Sequence, residues 1–218
     1  MGRNLEKDAI EMAAKNQRIL ENGFRIFAEK TIERVKMTDV AEAAGIGIAS
    51  LYRYYSTKPE LIMAISTKIW DEYTKDNRKK LEETKGAGRT AAEEFDFFLE
   101  SFLDLYRNHK DMLRFNQFFN VYLQSGEITD EQKKPYTDMI RALEVRFGDT
   151  YHKGQQDGTL NTDLPEKEMF SATLHLMLAV VTRYAVGLAY NENTDKDAEL
   201  QLMKEMLVQR FCVRNKQK

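Results

Sequence analysis

The chain has 218 residues, of which 42% are hydrophobic and 31% are charged, so it can bury a core and extensive disorder is excluded. Its net charge of −2 gives no general attraction to a polyanion, and its single cysteine excludes an internal disulfide and a cysteine-based metal cluster. Few glycines and prolines, long stretches of good helix formers and the lack of alternating Val/Ile/Thr runs predict an all-α protein.

Four helices are predicted in the N-terminal part of the chain, where apolar residues recur at helical spacing. They are expected at residues 8–30, 37–44, 48–55 and from 58 to about 83. Pro59 falls in the first turn of the fourth helix, a position that suits proline because its missing N–H has no partner there. The segment KGAGRT, Lys85 to Thr90, interrupts the pattern with glycines and is predicted to be a linker.

Five further helices with more aromatic faces follow this linker. They are expected at about residues 95–106, 113–122, 132–152, 165–189 and 196–213. A break is predicted at 154–165, where the sequence reads GQQDGTLNTDLP. We therefore divide the chain of about nine helices into residues 1–57, a connecting helix at 58–84 and a C-terminal domain at 85–218.

The second and third helices have the spacing of a helix-turn-helix. Ala41, Gly45 and Leu51 lie four and six residues apart. Two helices that cross steeply need a small residue at their contact, a glycine with positive φ in the turn and an apolar residue that closes the core. In a DNA-binding helix-turn-helix the second of these helices lies in the major groove. Ordinary helical hairpins also show this spacing, so the outward face of the third helix decides between the two interpretations.

The outward face of the third helix favours a contact with DNA. Opposite the predicted core residue Leu51 stand Ala49, Ser50, Tyr52 and Arg53. A small residue, a hydroxyl, a phenol and a guanidinium can contact base edges, thymine methyl groups and phosphates. No acidic side chain occurs in residues 45–58, although the chain contains 35 Asp and Glu. A solvent-facing helix would carry Glu and Lys on this face.

The stretch RILENGFRIFAEK, followed by MTDVAEAAGIGIASLYRYYSTKPELIMAI, resembles the N-terminal domain of the TetR family of transcriptional regulators. The resemblance covers about residues 15–70. Its most specific part is Asp39-Val40-Ala41, Ala44-Gly45-Ile46 and Leu51-Tyr52-x-Tyr54-Tyr55-x-x-Lys58. The resemblance implies a three-helix helix-turn-helix DNA-binding domain followed by a C-terminal helical ligand-binding and dimerisation bundle.

The resemblance also implies which residues contact DNA. The candidate DNA-contacting positions are Thr38, Gly47, Ile48, Ala49, Ser50, Tyr52, Arg53, Tyr54 and Lys58. Tyr52 and Arg53 stand where the family's recognition helix meets bases and phosphates, and Tyr54 and Lys58 stand at phosphate-contacting positions. Lys58 also begins the fourth helix, where backbone N–H groups favour a phosphate.

The chain departs from the family pattern at four positions. Gly47 and Ile48 replace a common serine and lysine around the start of the recognition helix. Thr31 replaces a common glycine after the first helix, and Lys36 replaces a common hydroxyl cap before the second. The fold is therefore predicted more firmly than the bases that the protein reads.

Aromatic and methionine side chains in the C-terminal domain predict a cavity for a flat or apolar small molecule. The candidate lining residues are Phe102, Tyr106, Phe115, Phe118, Phe119, Tyr122, Phe147, His175, Met177 and Tyr184. Each of them is also compatible with a filled core, and for His175 a hydrogen-bonded core histidine is the leading interpretation.

The last two predicted helices indicate a homodimer. Residues 165–189 are apolar on more than one face, which exceeds the need of a single core. Apolar residues of the ninth helix, such as Leu202 and Met206, extend this surface. A fully buried central helix would show the same composition, but a helix-turn-helix protein generally binds paired half-sites as a dimer.

These features predict a sequence-specific transcription regulator, expected to be a repressor that a small hydrophobic or aromatic effector of unknown identity releases from a double-stranded DNA operator with palindromic half-sites. The resemblance implies that the effector enters the C-terminal bundle and tilts the fourth helix. The two recognition helices then no longer match half-sites about 34–36 Å apart.

Three other interpretations remain open: a DNA-binding protein without small-molecule control, an α-helical enzyme that uses the aromatic cavity, and a purely structural helical bundle. No catalytic constellation, metal-ligand spacing or glycine-rich phosphate loop is visible, so we expect no enzyme, no cofactor and no metal. The chain shows no secretory signal and no apolar run long enough to span a membrane, so a cytoplasmic protein without a membrane partner is expected.

Overall fold

The computed structural model describes residues 5–83, 88–124, 128–187 and 195–213. These residues form nine α-helices and no strand, which confirms the predicted all-α fold. In chain order the helices are α1 Leu5–Lys30, α2 Met37–Ala43, α3 Ile48–Tyr54, α4 Lys58–Glu83, α5 Ala91–Asn108, α6 Lys110–Leu123, α7 Asp130–Asp157, α8 Glu166–Val186 and α9 Lys196–Phe211. Residues 85–87 of the predicted linker and 188–189 of the predicted eighth helix lie outside the described residues.

The end of α7 differs from the prediction, because the helix continues through Gly154 to Asp157. A Cβ atom at Gly154 would lie 2.6 Å from the Cβ of Leu160, so the glycine lets Leu160 pack directly against the helix. Gly158, with φ of +67°, then ends the helix. The break begins four residues later than predicted. Gly154 makes room for Leu160 inside the helix, and Gly158 is the glycine that forms the turn.

The chain divides into two compact units. The first unit contains the residues up to Trp70 together with Arg114–Tyr136. The second unit contains Asp71–Leu113 and the residues from Thr137 onward. Each of α4, α6 and α7 therefore begins in one unit and ends in the other.

Apolar residues from α1–α4, α6 and the residue Ile128 form the core of the first unit. Phe27, Leu51 and Phe115 are completely buried in it. The ring of Phe115 meets Phe24 edge-on at 5.7 Å and stacks on Phe119 at 5.9 Å. Full burial of each such side chain stabilises the fold by about 1.5–3 kcal/mol, so α6 contributes to holding the helix-turn-helix together.

The second unit is built around α5, which packs against both α8 and α9. Its interior contains a chain of aromatic rings in which Phe147 contacts Phe95, Phe98 and Phe170 at centroid distances of 6.2, 5.5 and 5.4 Å. Among the described helices, α8 is long and apolar enough to cross a membrane by length and composition alone, as many core helices of soluble proteins are. In this fold α8 buries Met177 and Val181 in the unit's interior.

Candidate nucleic-acid interface

The helix-turn-helix has the geometry that its spacing predicts. Gly45 adopts φ of +65° between α2 and α3, the left-handed conformation that glycine reaches without strain. Val40, Ala41 and Leu51 are buried where the two helices meet. The Ile46 N–H donates to the Ala41 carbonyl at 3.0 Å, so the turn also satisfies its own backbone. Residues of α2, the turn and α3 therefore determine the orientation of α3 relative to α2.

The start of α3 carries no side-chain cap. Gly47 is the N-cap residue, and its carbonyl accepts hydrogen bonds from the N–H groups of Ser50 and Leu51 at 2.8 and 3.1 Å. Ile48 follows with 37% of its surface exposed. At the corresponding point of α2, the N-cap residue Lys36 also provides no side-chain cap, and the Asp39 carboxylate accepts the Lys36 N–H at 2.8 Å.

Most of the predicted DNA-contacting residues lie on one exposed face. Tyr52 is 49% exposed, and Ala49 and Arg53 are also exposed beside it. The Arg53 guanidinium donates to the Ser50 hydroxyl at 3.2 Å, which keeps both groups on the same side of α3. Thr38 of α2 is exposed as well. The exposed side of α3 offers donors, a phenol and small apolar atoms, and α3 contains no carboxylate.

Tyr54, the last residue of α3, and Tyr55, its C-cap residue, form hydrogen bonds with α1. The Tyr54 hydroxyl donates to the Met12 carbonyl at 3.3 Å, and the Tyr55 hydroxyl donates to Asn16 Oδ1 at 2.7 Å. Tyr55 is buried, and this burial raises the pKa of its hydroxyl. In this structure the Tyr54 hydroxyl thus has a protein partner, and its predicted phosphate contact stays a prediction.

Glu60 organises the start of α4, a role that the sequence-based site did not include. Its carboxylate accepts the Ser56 N–H at 2.8 Å and the Ser56 hydroxyl at 2.7 Å. Its own N–H donates to the Thr57 hydroxyl at 3.3 Å. The sequence signal was available, since Thr57 and Glu60 have the spacing of a capping box. One carboxylate therefore lies close to the otherwise acid-free segment.

Lys58, the first residue of α4, is half-buried. Its ammonium lies 5.9 Å from the ring centroid of Tyr122, near the end of α6. A cation within about 6 Å of an aromatic face is attracted by the ring's quadrupole. Because Tyr122 is 64 positions away, no local pattern could have predicted this neighbour.

The ten predicted effector-lining residues are divided between the two units. Phe115, Phe118, Phe119 and Tyr122 belong to the first unit, and Phe102, Tyr106, Phe147, His175, Met177 and Tyr184 belong to the second. His175 is exposed on α8, with its Nδ1 atom 3.3 Å from the Ser171 hydroxyl, so the expectation of a core histidine is wrong. Other residues on the same face of α8, such as Leu176, are also exposed to solvent. The apolar neighbours of His175 in the sequence therefore do not place its ring in the core.

Other reactive groups do not form a site in the part of the chain that the structure describes. No three His, Cys, Asp or Glu side chains within it could hold a metal ion together. Burial raises the pKa of the Cys212 thiol to about 11, so it remains protonated near neutral pH.

Comparison with protein families agrees with this geometry. Residues 19–65 match the family described as bacterial regulatory proteins, tetR family. The HTH-type transcriptional regulator SAB2452 of Staphylococcus aureus (strain bovine RF122 / ET3-1) is 39% identical over 57 residues, which are 26% of this chain and 29% of that protein. The match thus spans less than a third of that relative. YvdT of Bacillus subtilis (strain 168), an uncharacterized HTH-type transcriptional regulator, is 20% identical over 85% of this chain and 90% of its own length.

Solved structures share the whole fold. A putative transcriptional regulator from Saccharomonospora viridis, solved in complex with choline, superposes with a TM-score of 0.76 at 16% sequence identity. The superposition covers 93% of this chain and 100% of the other. The likeness extends to the C-terminal helices, beyond residues 19–65 that match the family model.

Proposed function

We propose that this chain, a DNA-binding transcription regulator of the TetR family of bacterial regulatory proteins, is a repressor that a small hydrophobic or aromatic effector releases from its operator. In this proposal residues 1–57 bind DNA, 58–84 form the connecting helix, and 85–218 bind the effector and form a homodimer in the cytoplasm. The operator consists of two palindromic half-sites.

The exposed face of α3 is the observation that carries the proposal. Tyr52, Arg53 and Ala49 project from a helix whose opposite side is anchored by buried Leu51. Guanidinium and phenol groups can read base edges or bind phosphates, and the absence of a carboxylate on this face avoids repulsion. Selection of bound sequences from random DNA tests the proposal, because a purely structural bundle would enrich no sequence.

The selected operator allows base reading and phosphate binding to be separated. Arg53→Ala should cost about 1–3 kcal/mol on the operator and less on random DNA if Arg53 reads a base. Lys58→Ala should weaken both kinds of DNA similarly, and should reduce the salt dependence by about 0.9 for each subunit bound, because a phosphate contact is lost. Titrations at several salt concentrations measure both effects. Arg25→Ala, an exposed position that pairs with Glu29 on α1, is the control.

Equal losses on operator and random DNA for Arg53→Ala would make Arg53 a phosphate anchor and contradict its assignment as a base reader. An unchanged salt slope for Lys58→Ala would contradict the phosphate role of that lysine.

The interior of the second unit supports an apolar effector with few polar groups. Phe98, Phe147 and Phe170 provide ring surfaces that favour flat or apolar molecules. The hydroxyls of Thr173 and Thr182 are buried without a hydrogen-bond partner among the described residues. A buried hydroxyl without a partner is costly, so a bound molecule with one or two hydrogen-bonding groups would stabilise this interior. The choline bound to the Saccharomonospora viridis regulator also supports a small-molecule role.

A compound screen distinguishes effector control from constitutive DNA binding. An effector should both raise the melting temperature and release the operator, since a ligand shifts the equilibrium only by its preference for one state. Compounds that stabilise the protein but never release DNA would favour the alternative without small-molecule control.

Exposed apolar side chains on α8 and α9 support the homodimer. Leu176 and Val186 of α8 are 46% and 45% exposed, and Leu202 and Met206 of α9 are 58% and 61% exposed. The two helices pack against each other within the second unit. Apolar residues that remain exposed on neighbouring helices suit a self-complementary contact with a second copy of the chain.

A further inference from the structure

Two arginines of the second unit lie within electrostatic range of each other, Arg78 on α4 and Arg146 on α7. Arg78 is exposed, whereas Arg146 is half-buried. Burial lowers the pKa of the Arg146 guanidinium, and the positive charge of Arg78 lowers it further. Arginine nevertheless stays protonated in proteins, so the two groups keep their like charges and repel each other.

No carboxylate pairs with either guanidinium in the part of the chain that the structure describes. Glu82 lies four positions after Arg78, and Asp149 lies three positions after Arg146, spacings at which ion pairs form on a helix. Neither acid pairs with its arginine here. A half-buried charge without a partner is costly, and a bound anion would relieve that cost.

Arg146 lies at the edge of the aromatic interior of the second unit. The next residue, Phe147, is 5% exposed and contacts Phe98 and Phe170 at centroid distances of 5.5 and 5.4 Å. The preceding residue, Val145, is 60% exposed. Successive residues of a helix point about 100° apart, so Arg146 stands between the buried and the exposed side of α7. A molecule whose apolar part meets these rings would bring its polar end to Arg146.

The two guanidinium groups suit an oxyanion at that end. Each presents planar N–H donors that can bind two oxygens of a carboxylate or a phosphate at once. The charge of the anion would also remove the repulsion between the two arginines. A neutral head group would leave that repulsion in place, and a cationic one would add to it.

We propose that Arg78 and Arg146 form an oxyanion subsite, so that the effector is an amphipathic anion with a carboxylate or a phosphate beside an apolar body. The inference rests on the proposed function, because it names the chemical class of the effector. The aromatic rings then bind the body, and the arginines select the charge of the head group.

Titration of the full-length protein with probes that differ only in their head group tests the inference. Decanoate, decyl phosphate, decanol and decyltrimethylammonium share one apolar chain, and naphthoate, naphthyl phosphate and naphthol share one flat body. An oxyanion should bind at least about tenfold more tightly than the neutral probe with the same body, and the ammonium probe should not bind. The carboxylate and phosphate members of each series show which oxyanion the subsite takes.

Variants of the two arginines test which residues make this selection. Arg146→Met should weaken binding of the oxyanions about 10- to 100-fold, and Arg78→Met, at the more exposed position, about three- to tenfold. Both variants should bind the neutral probes within about twofold of the unmodified protein. Arg146→Lys keeps the charge but loses the planar donors, so its affinity should lie in between. Arg141→Met is the control, because Arg141 lies on the same helix and pairs with Asp138 on an exposed surface.

The melting temperature of the ligand-free protein gives a readout that does not depend on the choice of probe. Arg146→Met should raise it, because the substitution removes a half-buried charge that faces another of the same sign. A fall greater than that in Arg141→Met would reveal a carboxylate partner of Arg146 and overturn the inference.

The inference is also overturned if no oxyanion probe binds better than its neutral counterpart, or if oxyanion binding survives Arg146→Met unchanged. The proposed function would stand after either result, since a neutral compound could still release the operator. That function is tested separately, by the selection of DNA sequences and by the compound screen.

Discussion

Three tyrosines of the recognition segment show what a residue's type can and cannot predict. Tyr52 is exposed as the helical pattern predicted, because it lies opposite buried Leu51. Tyr54 and Tyr55 instead donate to Met12 and Asn16 of α1. Tyrosine has an apolar body and a polar tip, so the same side chain suits both places. One partner is a backbone carbonyl 42 positions away, which leaves no signal in the sequence.

Thr31 gives a prediction at the residue scale. It has φ of +72°, and no other non-glycine residue in the described ranges has positive φ. A β-branched residue is strained by about 1–2 kcal/mol in this region, and glycine relieves the strain at an entropic cost of about 0.5–1 kcal/mol. Thr31→Gly should therefore raise stability by about 0.5–1 kcal/mol, measured as a higher thermal midpoint.

Thr38→Gly is the matched control for this substitution, because Thr38 is an exposed residue with helical backbone in α2. Glycine there should lower stability, since it adds freedom to the unfolded chain without relieving strain. A decrease in both variants would show that the backbone at Thr31 is not strained.

Helix positions were predictable because apolar residues recur at helical spacing and glycine or proline marks most ends. The end of α7 was missed because a glycine can serve either packing or a turn. Gly154 gives Leu160 room, whereas Gly158 with φ of +67° ends the helix. Deciding which of these roles a glycine has requires knowing that Leu160 packs against Gly154 in the folded protein, and the sequence does not show this contact.

The ion pairs between α5 and α9 give a prediction at the element scale. The Lys204 ammonium lies 3.0 Å from Asp96 and 2.8 Å from Glu100, and only 9% of the lysine side chain is exposed. Lys204→Met should cost about 1–3 kcal/mol, because two carboxylates lose a shielded partner. Chemical denaturation of the variant and of the unmodified protein measures the loss.

The control is Lys75→Met on α4, where the ammonium lies 2.6 Å from Asp71 but the two side chains are 68% and 55% exposed. Solvent screens this pair, so the cost should stay below about 0.5 kcal/mol despite the shorter distance. Similar losses in the two variants would mean that burial does not strengthen the Lys204 pairs.

At the scale of the whole molecule, a second copy of the chain is the expected partner. Leu202→Glu on α9 would place one carboxylate per subunit in the proposed contact, and symmetry would bring in two. The dimer should weaken by about 3 kcal/mol or more, over a hundredfold, and operator affinity should fall with it. Sedimentation equilibrium should show a monomer at concentrations where the unmodified protein is dimeric.

Val145→Glu is the control for this substitution, since Val145 is 60% exposed and belongs to α7 rather than to α8 or α9. Its mass in solution should not change. A dimer that survives Leu202→Glu would rule out α9 as the dimer contact.

The completion of the first unit's core by α6 also has a consequence for the order of events during synthesis. The N-terminal helices leave the ribosome first, but Phe115, Phe119 and Ile128, which belong to the same core, are made much later. Residues 71–136, which follow Trp70 up to the end of this core's second segment, number 66 and take roughly 3–13 seconds to synthesise. The nascent DNA-binding segment therefore waits with an open apolar side until α6 arrives, and during that interval chaperones have access to the side that α6 later covers.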